Sequence, residues 1–353
     1  MAEQWVNLED IRAAQQRLAG VAVRTGLHLV PPERLAAAGI PDLPFALYIK
    51  AESEQPIGSF KLRGSYNSVA QLSNEQLERG VITYSSGNHG QGVAYAARAL
   101  GAKAMIVMPD NVPAVKRDAV AELGAEIVLV GPASSERREK AEQLALRFGY
   151  TVIPPYDDPA IIAGQGTCGV EILEQLAHVA PAQSSALILS PVSGGGLLSG
   201  IATAVKLGAP GSAIQVWGAE PELAADAKES FESRTLVHWD ASQTTRTICD
   251  GLRTQSLGSL NFQHILRYVD GIVTVAEDEV RAAMRIMVQA TGLVPEPSGA
   301  VALAAALFRH HALPPASHVV AVLSGGNIEP EHRRELERTA LPPARHSESK
   351  GSG

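Results

Sequence analysis

Val81-Ile82-Thr83-Tyr84-Ser85-Ser86-Gly87-Asn88-His89-Gly90-Gln91-Gly92-Val93 reads as a short apolar strand, a turn of small residues and the opening of a helix. A strand buried on both faces shows as a continuous apolar run, and the segment after it changes to a 3.6-residue period. Working outward, the same unit recurs. Residues 45–49, 104–108, 126–130, 186–189, 215–218, 272–275 and 318–323 have strand character. Helical patterns over 91–100, 115–123 and 134–148 each stop at a glycine, Gly101, Gly124 and Gly149, where a C-terminal cap belongs. Alternation of this kind predicts an α/β protein whose mostly parallel sheets are covered by helices on both sides. Residues 81–130 form a compact lobe of three strands and two crossovers, and 184–323 supply a second set.

The bulk of the chain fits an ordinary globular enzyme. It has 353 residues and a net charge of −7 from 30 basic and 37 acidic side chains. No basic stripe points to nucleic acid. Neither a signal pattern at the start nor an apolar run long enough for a membrane is seen. Two cysteines without metal or disulfide spacing, Cys168 and Cys249, read as structural and suggest a reducing compartment, so the expectation is a cytoplasmic protein.

Several segments can carry chemistry. Ser59-Phe60-Lys61-Leu62-Arg63-Gly64 puts one lysine in a small, mostly uncharged setting before an amphipathic stretch; burial there would favour a neutral, nucleophilic amine, and a solvated helix lysine is the alternative. The turn Ser85-Ser86-Gly87-Asn88-His89-Gly90 leaves backbone amides free for an anion such as a carboxylate. Ser193-Gly194-Gly195-Gly196-Leu197 precedes a helix over 198–206. It lacks the spacing of a dinucleotide or triphosphate loop and suits a monophosphate. Ser324-Gly325-Gly326-Asn327 ends an apolar strand, where ligands of parallel sheets collect. Together these loops suggest a cradle for a phosphorylated cofactor in one crevice. Glu220 and Asp226, with the carbonyl of Ala224 between them, offer hard oxygen ligands for a divalent cation; a solvated acidic loop reads the same way. Arg137 is either an anion contact or part of a charged helix face.

With these segments in this order, and with Ile162-Ala163-Gly164-Gln165-Gly166-Thr167 between the second and third, the chain resembles the serine/threonine dehydratase and serine racemase group of fold type II pyridoxal-phosphate enzymes, which also includes threo-3-hydroxyaspartate ammonia-lyases. The resemblance runs from about Val6 to Glu337. It implies two open, mostly parallel twisted sheets with flanking helices, as in tryptophan synthase β, and the cofactor in the cleft between a large domain (1–79 and 158–340) and a small one (80–157). Residues 341–353 would be a disordered tail, with no C-terminal regulatory domain.

The resemblance also implies roles. Lys61 would carry the internal Schiff base of pyridoxal 5'-phosphate, with Phe60 on its ring, Asn88 at its 3'-hydroxyl and Ser324 at its ring nitrogen. Gly194, Gly195, Gly196 and Leu197 would hold the phosphate. Ser85, Ser86, Gly87, Asn88, His89, Arg137 and Thr254 would face the substrate, with Arg253 a further candidate and Ser86 the serine that acts on the second face in racemases. Glu220, Ala224 and Asp226 match a site for Mg2+, Ca2+ or Mn2+. Ser193 stands where many members have a fourth glycine, a change expected to be tolerated. Pro155-Tyr156-Asp157-Asp158 looks like dehydratases rather than mammalian-type racemases. The implied activity is β-elimination from a β-hydroxy L-amino acid (serine, threonine, threo-3-hydroxyaspartate or phenylserine) to a 2-oxo acid and ammonia, by a homodimer, with amino-acid racemisation as the alternative.

Overall fold

A computed structural model describes residues 5–85, 87–131, 134–181 and 184–338. Among the described residues there are ten strands: β1 (Leu27–Leu29), β2 (Ala46–Ala51), β3 (Val81–Tyr84), β4 (Ala104–Pro109), β5 (Glu126–Val130), β6 (Thr151–Val152), β7 (Ala186–Pro191), β8 (Ile214–Pro221), β9 (Gly271–Val275) and β10 (His318–Leu323). They make a six-stranded sheet in the order β1-β2-β10-β7-β8-β9 and a four-stranded sheet in the order β5-β4-β3-β6. Every pairing is parallel except that of β1 with β2.

The apolar runs are explained by burial on both faces. Along β10, Val319, Ala321 and Leu323 join the core under the helices Glu277–Thr291 and Pro297–Phe308. Val320 and Val322 join the opposite core, under Gly196–Gly208. Two further clusters cover the four-stranded sheet. Gly101, Gly124 and Gly149 have φ of +72°, +83° and +72°, the left-handed conformation that ends a helix. The sequence pattern missed β1 and β6, which at three and two residues are too short to show a period. With β6 the small sheet gains a fourth strand beyond the three expected. We propose domain boundaries near residues 80 and 157, supported by the fact that β3 to β6 all lie between them. The expected tail, 341–353, lies outside the described residues.

A buried charge network sits at the end of β2. Arg63 donates to Glu52 Oε2 at 2.7 Å and to Glu171 Oε1 at 2.7 Å, and Lys50 Nζ donates to Glu171 Oε2 at 2.6 Å. Burial alone would raise the Glu52 carboxyl; Arg63, then Lys50, hold it at about 2. Two cations against two anions leave the cluster balanced, and it ties β2 to the helices Lys61–Val69 and Pro159–Val179.

Candidate active site

Lys61 opens the helix Lys61–Val69, and two contacts fix where that helix begins. Phe60 N donates to Ser324 O at 3.0 Å, and Ser59 bridges Gly325, so the lysine is pinned to the end of β10. Lys61 Nζ donates to Pro155 O at 2.8 Å and meets no carboxylate among the described residues. Burial pulls its amine down from 10.5 to about 8. The residue as a whole is half-buried, with its amine turned inward, which favours the partly buried reading of this lysine over the solvated one.

Lys61 borders a cavity of about 150 Å3 where the carboxyl ends of the two sheets face each other. Phe60, Asn88 and Ser324 line it, as do Gly194, Gly195, Gly196 and Leu197. So do Ser85, Gly87, His89, Arg137 and Thr254. Ser86 lies outside the described residues. The structure thus gathers every other residue expected at the cofactor and substrate into one place.

The glycine loop is shaped for a ligand rather than for side chains. The helix starts at Gly196, two residues earlier than its pattern suggests, and its first-turn amides have no partners within the helix. Gly195 has φ +95°, and a Cβ there would stand 2.9 Å from Asn261 Cβ. The Gly194 carbonyl accepts from Gly258 N at 3.1 Å and Asn261 Nδ2 at 2.9 Å, which holds the loop from behind. Ser193 adopts φ +57°, costing about 1 kcal/mol relative to glycine. Its hydroxyl is 3.1 Å from Gly251 O and 3.2 Å from Thr254 Oγ1, so its side chain is tied to the opposite wall.

His89 is buried, with Nε2 3.1 Å from Ile153 O and Nδ1 3.2 Å from Ser65 Oγ. A carbonyl only accepts, so Nε2 carries the proton and Nδ1 accepts from the serine. Burial first, then Lys61, push the imidazole to about 3, and it is neutral at physiological pH. Arg137 lines the cavity, whereas its neighbour Arg138 faces out to Glu142 at 2.8 Å. Arg253 also borders the cavity but donates to Thr247 O at 3.0 and 2.6 Å, which makes it a brace for the wall.

Several residues of the site were given no role from sequence. Tyr156 packs its ring on the glycine loop. Asp157 caps the helix Ser259–Tyr268 through Ser259 N and Leu260 N, at 3.0 and 2.9 Å. Asp158 caps Pro159–Val179 through Ala160 N at 2.8 Å. Lys116, Asp250 and Glu296 also line the cavity. Burial lowers the Lys116 ammonium, but Glu296 and Asp250 outweigh it and hold it above the ordinary lysine value. A carboxylate four residues before the alanine-rich run 300–306, between two prolines, was the available signal for Glu296.

Away from the cavity, Glu220 and Asp226 are each 1% exposed, which rules out a solvated acidic loop. Glu220 Oε2 accepts from Lys228 N at 2.9 Å, while Asp226 Oδ2 is buried with no hydrogen-bond partner. Burial, then Asp226, lift Glu220 well above the carboxylate range, and burial lifts Asp226 to about 7. Ala224, also buried, lies between them in the chain. Among the described residues no cluster of three or more His, Cys, Asp or Glu side chains could hold a metal, so a cation here would complete its shell with backbone carbonyl and water. Cys168 and Cys249 are free and buried, as structural cysteines are.

Comparison with known proteins agrees with this geometry. Residues 25–325 match the family described as pyridoxal-phosphate dependent enzyme, and the chain belongs to that family. It is 41% identical over 283 residues to an L-threo-3-hydroxyaspartate ammonia-lyase of Saccharomyces cerevisiae, covering 80% of this chain and 83% of that protein. It is 35% identical to a serine racemase of Schizosaccharomyces pombe, covering 92% and 94%. Among solved structures, the T.th. threonine deaminase superposes with a TM-score of 0.83 at 42% identity, covering 92% of this chain and 99% of that one. No helix among the described residues is long and apolar enough to cross a membrane.

Proposed function

We propose that the protein releases ammonia and a 2-oxo acid from a β-hydroxy L-amino acid, by β-elimination dependent on pyridoxal 5'-phosphate. The observation that carries this is the convergence of a half-buried lysine amine without a counter-charge and a glycine-led helix N-terminus on one cavity.

The residues fit the cofactor. Lys61 would bond it covalently, and the amides of 194–197 would hold its phosphate. Asn88 would donate to its 3'-oxygen, Phe60 would cover its ring, and Ser324 would meet its ring nitrogen. Bound pyridoxal phosphate supplies an electron sink for the pair left at the α-carbon. Lys61, depressed to about 8, is suited to take the α-proton and hold it. The 85–90 turn would bind the α-carboxylate. The β-hydroxyl departs with a proton as water, and hydrolysis of the remaining enamine gives the 2-oxo acid and ammonia. Ser324, a serine rather than a carboxylate, would leave that nitrogen largely neutral, which would favour prompt loss of the β-group.

Arg137 on the cavity wall supports a substrate with a second carboxylate, since a guanidinium holds one in a bidentate fork. Threo-3-hydroxyaspartate is therefore our first choice among serine, threonine, 3-hydroxyaspartate and phenylserine. We also propose a divalent cation at Glu220, Ala224 O and Asp226. The likeness over nine-tenths of the chain to a serine racemase favours racemisation as the second reading. The homodimeric state rests on family resemblance alone, and the cytoplasmic location on two free cysteines as well.

The test is incubation of the holoenzyme with L-threo-3-hydroxyaspartate in heavy water. Equal yields of ammonia and 2-oxo acid are expected. Exchange of the α-proton without either product would replace this reading with racemisation.

A further inference from the structure

Lys116 lies on the helix Ala114–Glu122, between β4 and β5 of the small sheet, and is 6% exposed. Its ammonium reaches two carboxylates that belong with the large sheet, Asp250 Oδ2 at 2.5 Å and Glu296 Oε2 at 3.1 Å. Glu296 turns its other oxygen to Asn88, accepting from Nδ2 at 2.5 Å. Asn88 Oδ1 accepts from Asn327 Nδ2 at 2.8 Å. The Asn88 amide therefore cannot turn over without losing both partners, and its second N–H remains for the cavity. The stem of Lys116 lies over the same turn, since a Cβ on Gly87 would stand 2.5 Å from Lys116 Cδ.

Lys116, Asp250 and Glu296 line the inner cavity and also a second chamber of about 390 Å3, bounded by Val112, Ile248 and Ile328. Arg137 and Arg253 border both chambers as well, so the partition is a charged wall of which Lys116, Asp250 and Glu296 form the ion-paired part. One ammonium holds two carboxylates together, and without it they repel across that partition.

We propose that Lys116 is a positioning residue: its ammonium latches the two sheets' lobes together and, through Glu296, fixes the Asn88 amide that faces the cofactor. The proposal rests on the cofactor occupying this cleft. Lys116 acts through other side chains. It acts by holding Glu296, which holds Asn88, and by keeping the partition shut. Neither the glycine loops nor the lysine motif contains it, because its partners come from segments more than 130 residues further along the chain.

The test uses holoenzyme carrying Lys116→Met, Glu296→Gln and both together. The readouts are kcat, KM and the ratio of the cofactor's near-visible absorption bands, which responds to hydrogen bonding at the 3'-oxygen. Each single substitution is expected to change the band ratio and lower kcat on the order of 10- to 100-fold, as small misplacements in active sites do. Because the two act in series, the double variant should lose no more than the worse single. Lys116→Arg, which keeps the charge, should recover part of the loss. A Lys116→Met protein that melts earlier but keeps kcat and band ratio would reduce the lysine to a structural role and overturn the proposal; so would losses that simply multiply. If Lys116→Met does not fold, Asp250→Asn gives the decision: the ammonium still holds Glu296, so KM should rise with the band ratio unchanged, and an unchanged KM overturns the latch. Lys61→Ala tests the cofactor reading separately, by loss of the bands altogether.

Discussion

The amine of Lys61 should titrate far below an ordinary lysine, and apoprotein gives direct access to it. Burial without a counter-charge places it at about 8 against the ordinary 10.5. The difference of roughly 2.5 units is worth about 3.4 kcal/mol, a factor of about 300. At pH 7 roughly one amine in ten is then neutral, against about one in 3,000 for a solvated lysine. Only the neutral amine attacks a carbonyl. The rate at which apoprotein takes up pyridoxal phosphate, followed by near-visible absorption at several pH values, should rise tenfold per unit below 8 and level off above. The linkage has a matching sign. Between about 8 and 10.5 the unfolded chain binds the proton that the folded chain has lost, so apoprotein stability should rise with pH there by up to about 3 kcal/mol. A midpoint near 10.5, with no gain in stability, would refute the burial argument.

Other outcomes follow from the same structure. Arg63→Met leaves the buried carboxyls of Glu52 and Glu171 against Lys50 alone, and unfolding should show a loss of about 3–5 kcal/mol at pH 7. In the unsubstituted protein the Glu52 contribution is present above its ordinary 4.5 and is lost as pH falls from there to about 2, which acid titration of stability can follow. Gly195→Val adds a strained φ and a clash with Asn261, so cofactor should dissociate faster and thermal stability should fall by about 2 kcal/mol or more. Ionising Asp226, at about 7, costs stability progressively from about pH 4 to 7, and a cation removes that cost; Mg2+ should therefore raise the melting temperature more at pH 8 than at pH 5, and Asp226→Asn should abolish the difference.

Much of the fold was legible because its signals are local. Glycines 101, 124 and 149 mark helix ends by a backbone conformation that few other residues adopt, and β10 is apolar throughout because helices cover both faces. The glycine loops were legible for the same reason: each sits where a strand gives way to a helix, and exposed amides there need no tertiary partner to define them. What the sequence concealed is long-range. Lys116 reads as one cation in a helical stretch, and only folding brings it to Asp250 and Glu296. Arg63 looks like part of an uncharged neighbourhood until Glu52 and Glu171 close on it. Tyr156 and Asp157 stood out as a segment, but the ring against the glycine loop and the capped helix behind it could not be read from four residues.

The most direct test of the central claim is reduction of holoenzyme with borohydride followed by peptide mapping. The account predicts pyridoxyl phosphate on the peptide that contains Lys61, and none in Lys61→Ala. Label on any other lysine, or equal labelling of the variant, would contradict it.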